Sequence, residues 1–346
     1  MRRRHGLFNV SYKQELALIR TRFEWTLLVA FLLLMAVLPK LISLGWLDFF
    51  IRAGITIVVV TGLNLITGYC GQISMGHAAF MGLGGFIGAI LMKAGTPFLL
   101  ALPLAGLSAG ISGLIFGMPA LRVKGLYLAF TTLAAHYIIM FILVRLLGGT
   151  VGYEVAPPTV LGFKLNSEMR IYYLVLIMAF LSTCFAKNIV RGKAGRAFVA
   201  VRDHDIAANT LGINIYYYKL LVFFVGCVFA GVGGFLQVVY FGWASADTFT
   251  LWSAIWYIGM IIVGGMGTIV GVFFGSFFIL GIDHFCSIVS PMVANAFPVL
   301  SGTVLGALPL LVFSLVLMLF IVFEPRGLAH RWEIIRESFR VFPFNY

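Results

Sequence analysis

Asn64, Thr67, Gln72, Ser74 and His77 lie within residues 62–80 of a 346-residue chain, interleaved with Gly62, Gly68, Gly71 and Gly76. Long apolar runs flank them on both sides. Polar groups and irregular backbone at membrane depth are costly unless they face protein or a wet cavity. A hydrophobic segment interrupted by glycine is the usual sequence pointer to a translocation path. A second interruption, Gly264-Gly-Met-Gly-Thr-Ile-Val-Gly271, lies two hundred residues further on. The candidate path residues are therefore Asn64, Gly68, Gly71, Gln72, Ser74, Gly76, His77, Gly264, Gly265 and Gly267. The plainer reading is hydrogen bonding between helices, worth about 0.6 kcal/mol per contact in bilayers.

Other groups able to do chemistry are sparse. Gly110-Ile-Ser112-Gly113 resembles the GxSG serine of rhomboid-type intramembrane proteases, which gives an enzyme reading. A serine nucleophile needs a base on another element, and only His136 and His284 lie well inside other spans. Ser112 sits among glycine, alanine and leucine, where small residues are ordinary, so no catalytic residue is assigned. Asp283-His284 reads as an interfacial polar pair. Neither HExxH nor a Walker A sequence occurs, so ATP hydrolysis is not expected on this chain. Cys70, Cys184, Cys227 and Cys286 are widely spaced, and neither a metal site nor a disulfide framework is expected. No cofactor is expected on the chain itself. GxxxG spacings such as Gly84/Gly88, Gly106/Gly110 and Gly271/Gly275 read as close helix packing.

These residues must be positioned by membrane helices. The chain is 61% hydrophobic and 10% charged, against about 25% charged in a soluble domain. Apolar runs of helical spanning length recur throughout. Their continuity excludes the alternation of a β-barrel. Ten spans are expected, roughly at 25–44, 52–66, 77–92, 98–118, 126–146, 170–187, 219–241, 253–266, 271–290 and 303–323. The second, third and eighth are short. The net charge of +12 does not signal nucleic acid, because the basic residues fall between the spans. With both termini inside, segments 1–24, 119–125, 187–219 and 324–346 hold 18 of the 24 Lys and Arg, as the positive-inside rule requires. The expected domains are an inside segment 1–24, a membrane domain 25–323 and an inside tail 324–346. No cleavable leader is expected.

Two loops stand out, an outside one at 147–169 and an inside one at 187–218. Within the inside loop, residues 195–212 read as one amphipathic helix. Phe198, Val201, Ala208 and Leu211 recur at helical spacing, and Gly212 ends it. So short a helix is marginal alone, and its mixed charges favour docking in a partner's groove over lying on lipid.

Four stretches carry a family resemblance. They are Gly62-Leu-Asn-Leu…Gly68-Tyr-Cys-Gly71-Gln-Ile-Ser-Met-Gly76-His-Ala-Ala-Phe80, Arg122-Val-Lys-Gly-Leu-Tyr-Leu-Ala-Phe-Thr-Thr-Leu-Ala134, Gly195-Arg-Ala…Ala207-Ala-Asn-Thr-Leu-Gly-Ile213 and Phe323-Glu-Pro-Arg-Gly-Leu328. Together they resemble the LivM-type permease of branched-chain amino acid ABC importers, from about residue 50 to 330. One departure is Ala135-His136-Tyr137, where that family commonly has Phe-Gly-Glu. The resemblance implies an all-α polytopic permease of the type II importer class in a bacterial inner membrane. It implies a second, LivH-like permease subunit, two LivG/LivF-like ATP-binding cassette subunits carrying ATP, and an external or periplasmic solute-binding protein. It implies coupling to the ATPase through Gly195, Arg196, Ala197, Phe198, Val201, Arg202, Ala207, Ala208, Leu211 and Gly212. The cargo is then a branched-chain amino acid or another small solute such as urea or an amide. A stand-alone ion-coupled carrier or channel is the alternative.

Overall fold

The structure is a computed structural model describing residues 22–120, 125–148, 151–160, 162–296 and 301–341. Most of the expected 1–24 segment lies outside the described residues, as do Arg122, Val123 and Lys124 and the end of the tail. The described chain is helical, with α1 Arg22–Val37, α2 Leu44–Asn64, α3 His77–Lys93, α4 Phe98–Ala120, α5 Leu126–Arg145 and α6 Glu168–Arg191. Two short helices follow, α7 Lys193–Asp203 and α8 Asp205–Thr210. The rest are α9 Ile215–Phe241, α10 Leu251–Gly264, α11 Ile269–Ala296, α12 Ser301–Phe323 and α13 Gly327–Val341. Eight helices among the described residues are long and apolar enough to cross a membrane, with His77–Lys93 a shorter apolar helix. The 16-residue α1 occupies the place of the first expected span.

Three expectations need correction. The second span is not short: α2 begins at Leu44 and continues as a π-helical turn through Tyr69, giving 26 residues. Two charges in its first turns pair with each other one turn apart, Arg52 Nε donating to Asp48 Oδ1 at 2.9 Å. The first break is correspondingly shorter, since only 70–76 leave the helix. The inside helix is two helices rather than one. His204 is extended (φ −157°, ψ 95°), and its Nδ1 accepts from Ala207 N to cap α8.

The core forms around α9, which packs on α2, α3 and α4. Glycine sets these approaches. A Cβ on Gly234 would lie 1.9 Å from Met81 O in α3, and one on Gly84 would lie 2.3 Å from Gly231 Cα. Gly106, Gly110, Gly113 and Gly117 turn one edge of α4 onto Val228, Val232, Cys227 and Phe223 of α9. In lipid there is no hydrophobic drive between helices, so close contact of small residues carries the association. The outside loop adds two small antiparallel pairs, β1 (Tyr153–Glu154) with β4 (Trp243–Ala244), and β2 (Thr159–Val160) with β3 (Phe163–Lys164). The first of these ties the loop to the end of α9.

Gly234→Val should therefore abolish the monodisperse peak in detergent size-exclusion chromatography. Gly281→Ala should leave it unchanged, because nothing lies within 4 Å of a Cβ there.

Candidate functional site

Both glycine-rich breaks meet at one end of the bundle. Asn64, buried near the end of α2, reaches across 203 residues of sequence. Its Oδ1 accepts from Gly267 N at 3.0 Å, and its Nδ2 donates to Thr268 O at 3.0 Å. One primary amide thus satisfies a donor and an acceptor of the second break. Gly68 is glycine for the same reason. A Cβ there would fall 2.1 Å from Asn64 Oδ1 and 2.4 Å from Gly267 N. Gly265 and Gly267 turn the chain at φ +114° and +75°, a region that side chains disfavour. Gly264 lies against Gly271, where a Cβ would be 2.0 Å from its carbonyl. Thr268 closes the turn, its hydroxyl donating to Gly265 O and accepting from Gly271 N.

Arg202, the last basic residue of α7, is bound to this junction. Its Nη1 donates to Gly68 O at 2.8 Å, and its Nε donates to Asp203 Oδ1 at 2.9 Å. The π-helical turn at 65–69 and the helix end leave carbonyls in need of donors, and a guanidinium suits that place electrostatically. Gly71 (φ +72°) lies under the Arg202 side chain, 2.9 Å from Cγ by a notional Cβ. A cleft of about 570 Å³ opens here between Gly68, Arg202, Thr268 and the start of α13, where Arg326, His330 and Glu333 line it.

The other path candidates go elsewhere. His77 is wholly buried, and its Nε2 lies 3.1 Å from Val59 O, where it donates to the carbonyl in the middle of α2. Gly76 starts α3 against Thr132 O of α5, 2.6 Å from a notional Cβ. Gln72 is buried beside Cys70, and Ser74 is buried with its hydroxyl unpaired among the described residues. Two participants escaped the sequence reading. Thr132 accepts from Met75 N at 3.0 Å, and Thr67 donates to Gln72 O at 3.0 Å, fixing the break from α5 and from α2. Thr67 was visible as a polar residue; nothing local marked Thr132 as the partner of Met75 N. Ser112 donates to Ala109 O at 2.8 Å within its own helix, an ordinary placement for a small packing residue.

The helix pair α7–α8 has two faces. Gly195, Ala197, Phe198, Val201 and Ala208 are buried against the chain itself. Gly195 has no room for a side chain, since a Cβ would meet Val190 O at 2.0 Å. Arg196, Ile206, Ala207, Leu211 and Gly212 point outward. Leu211 does not share the buried face expected from helical spacing. α8 ends at Thr210, so Leu211 lies past its last turn and is 80% exposed; Ile206, at the start of α8, is 66% exposed.

The family described as branched-chain amino acid transport system / permease component matches residues 45–322. The chain is 30% identical over 269 residues to the high-affinity branched-chain amino acid transport system permease protein LivM of Escherichia coli (strain K12), covering 70% of this chain and 63% of that protein. It is 29% identical over 269 residues to the LivM protein of Salmonella typhimurium, with the same coverage. A probable LivM protein of Methanocaldococcus jannaschii is 24% identical over 251 residues, 68% of this chain and 69% of that one. The chain thus spans just under two thirds of the first two relatives' length. No solved structure matches the chain.

Replacing Asn64 with leucine leaves the part-buried Gly267 N–H and Thr268 C=O without that partner. Asn64→Leu should lower unfolding stability in detergent by ~2 kcal/mol, read by thermal scanning. Asn209→Leu, on the exposed side of α8, is the neutral comparison. Across its membrane helices this chain belongs to the family of branched-chain amino acid transport system permease components.

Proposed function

We propose that the chain is the membrane-spanning subunit of an ATP-driven ABC importer that carries branched-chain amino acids or a related small polar solute. ATP is bound by separate cassette subunits, a second permease subunit completes the pathway, and an external binding protein delivers the cargo near the 147–169 loop. Both termini and the α7–α8 pair face the cytoplasm, and the membrane is the bacterial inner membrane.

The observation that carries this reading is the Arg202–Gly68 bond beside the Asn64 clamp. A helix pair seated by Phe198, Val201 and Ala208 displays Ile206 and Leu211 to a partner. Its one long side chain into the bundle ends on the junction of both breaks. Movement of the cassettes then shifts α7–α8 as a unit. Arg202 transmits that shift to Gly68, and Asn64 passes it to the second break. Glycine backbone at both breaks absorbs the change in φ and ψ without steric penalty. The deep residues Phe198 and Ala208 seat the coupling element, while Ile206, Ala207 and Leu211 contact the cassette.

Ile206→Asp combined with Leu211→Asp should abolish co-purification with the cassette subunits while the permease still elutes as one species. Arg202→Ala should keep the complex and its ATPase but cut uptake per ATP by about tenfold or more, the equivalent of losing one charged hydrogen bond. Uptake by the lone chain in proteoliposomes under an ion gradient, without nucleotide, would establish the carrier reading instead.

A further inference from the structure

The opposite end of the bundle holds a second cleft, of about 330 Å³, between α2, α9, α10 and α11. That volume is at the small end of ligand pockets, which run from about 300 Å³ upward. Its walls combine two charged side chains, Arg52 and Asp283, with an aromatic surface formed by Trp252, Trp256 and Tyr257. Met260 lies deepest along α10.

The charges are incompletely spent. Arg52 uses Nε for Asp48, whose Oδ1 also accepts from the Tyr240 hydroxyl. Its two η-nitrogens make no hydrogen bond among the described residues, and the guanidinium lies 5.7 Å over the Phe241 ring. Asp283 makes no hydrogen bond among the described residues and lines the same cleft as Arg52. With Asp48 and Arg52 neutralising each other, the cleft retains one negative charge. The Arg52 side chain is half exposed and Asp283 partly buried, so both can meet a solute entering the cleft. A planar guanidinium end with two free donors fits a carboxylate, and a carboxylate without donors fits an ammonium.

The aromatic wall supplies the third element. Trp256 stacks on Phe313 at 4.7 Å and 9° and meets Trp252 edge-on at 6.3 Å, so its plane is fixed from behind. Trp256 Nε1 is buried without a hydrogen-bond partner among the described residues.

We infer that this cleft binds an α-amino acid zwitterion with an apolar side chain. Its carboxylate lies on the Arg52 η-nitrogens, its ammonium on Asp283 and its side chain against Trp252 and Trp256. The inference rests on the importer reading above and gives it an entry site distinct from the break junction. A solute lacking either charge leaves Arg52 or Asp283 desolvated and unpaired, so the same cleft discriminates against it.

The test uses the full-length chain carrying Ser253→Cys at the cleft wall, with Cys184→Ala removing the one native thiol that is not buried. L-Leucine at millimolar concentration should slow maleimide alkylation of the introduced thiol by about threefold or more. 4-Methylpentanoate, which lacks the ammonium, and 3-methylbutylamine, which lacks the carboxylate, should not. Adding Asp283→Asn should remove protection by leucine, and Asp283→Glu should restore it. In the complete importer, Asp283→Asn and Arg52→Gln should each reduce leucine uptake by about tenfold, while ATPase stimulation by loaded binding protein persists. Equal protection by all three compounds, no protection by leucine, or full protection in Asp283→Asn would overturn the site. Leucine uptake by the wild-type importer without thiol protection refutes the site and leaves the importer reading standing. Protection without uptake does the reverse.

Discussion

The Asn64 side-chain amide holds together two segments that could not otherwise be held. Each break leaves backbone N–H and C=O groups without helical partners in a part-buried place. A buried unpaired backbone group costs about 1–3 kcal/mol. Gly267 N–H and Thr268 C=O both find their partner on Asn64. A primary amide offers a donor and an acceptor side by side. Gly68 must then be glycine, because the amide oxygen and the Gly267 backbone occupy the space of a Cβ. The close approach of the breaks goes with this contact, and Arg202 ends beside it on Gly68 O.

Around that junction the bundle has two kinds of contact. Along α9, glycines let three neighbouring helices approach to backbone distance, and those surfaces have no slack. At the ends, contacts are made by hydrogen bonds between single side chains and backbone, as from Arg202, Thr132 and His77. Dense packing transmits displacement as a rigid body, whereas single bonds across glycine hinges permit it. That contrast suits a machine whose parts rock about the breaks. It also places the hinge residues away from the charged cleft at the far end, some three turns along α2 from Asn64.

The outward and inward faces of α7–α8 divide the work that one amphipathic helix seemed to do. Aromatic and aliphatic groups on the inner face offset the cost of ordering a pair too short to be stable alone. The outer face keeps Ile206 and Leu211 available, the second because α8 ends one residue before it.

Sequence alone determined that the chain is a helical membrane protein and which two segments are broken; it led to ten expected spans, whereas eight helices among the described residues are long and apolar enough to cross a membrane. Hydropathy, glycine content and amphipathic spacing are local properties, summed over windows no longer than one helix. Tertiary structure decided the rest. It showed that α2 runs through Asp48 and Arg52, because the two charges neutralise each other across one turn. It divided Asn64 from Gln72, Ser74 and His77, which look equivalent in sequence: Asn64 bridges the breaks, while His77 fixes one helix to another. It also joined Arg202 to Gly68 and brought Arg52 and Asp283 into one cleft. Those pairings span more than a hundred residues. They depend on how closely glycine-faced helices approach, and no local pattern of residues records that distance.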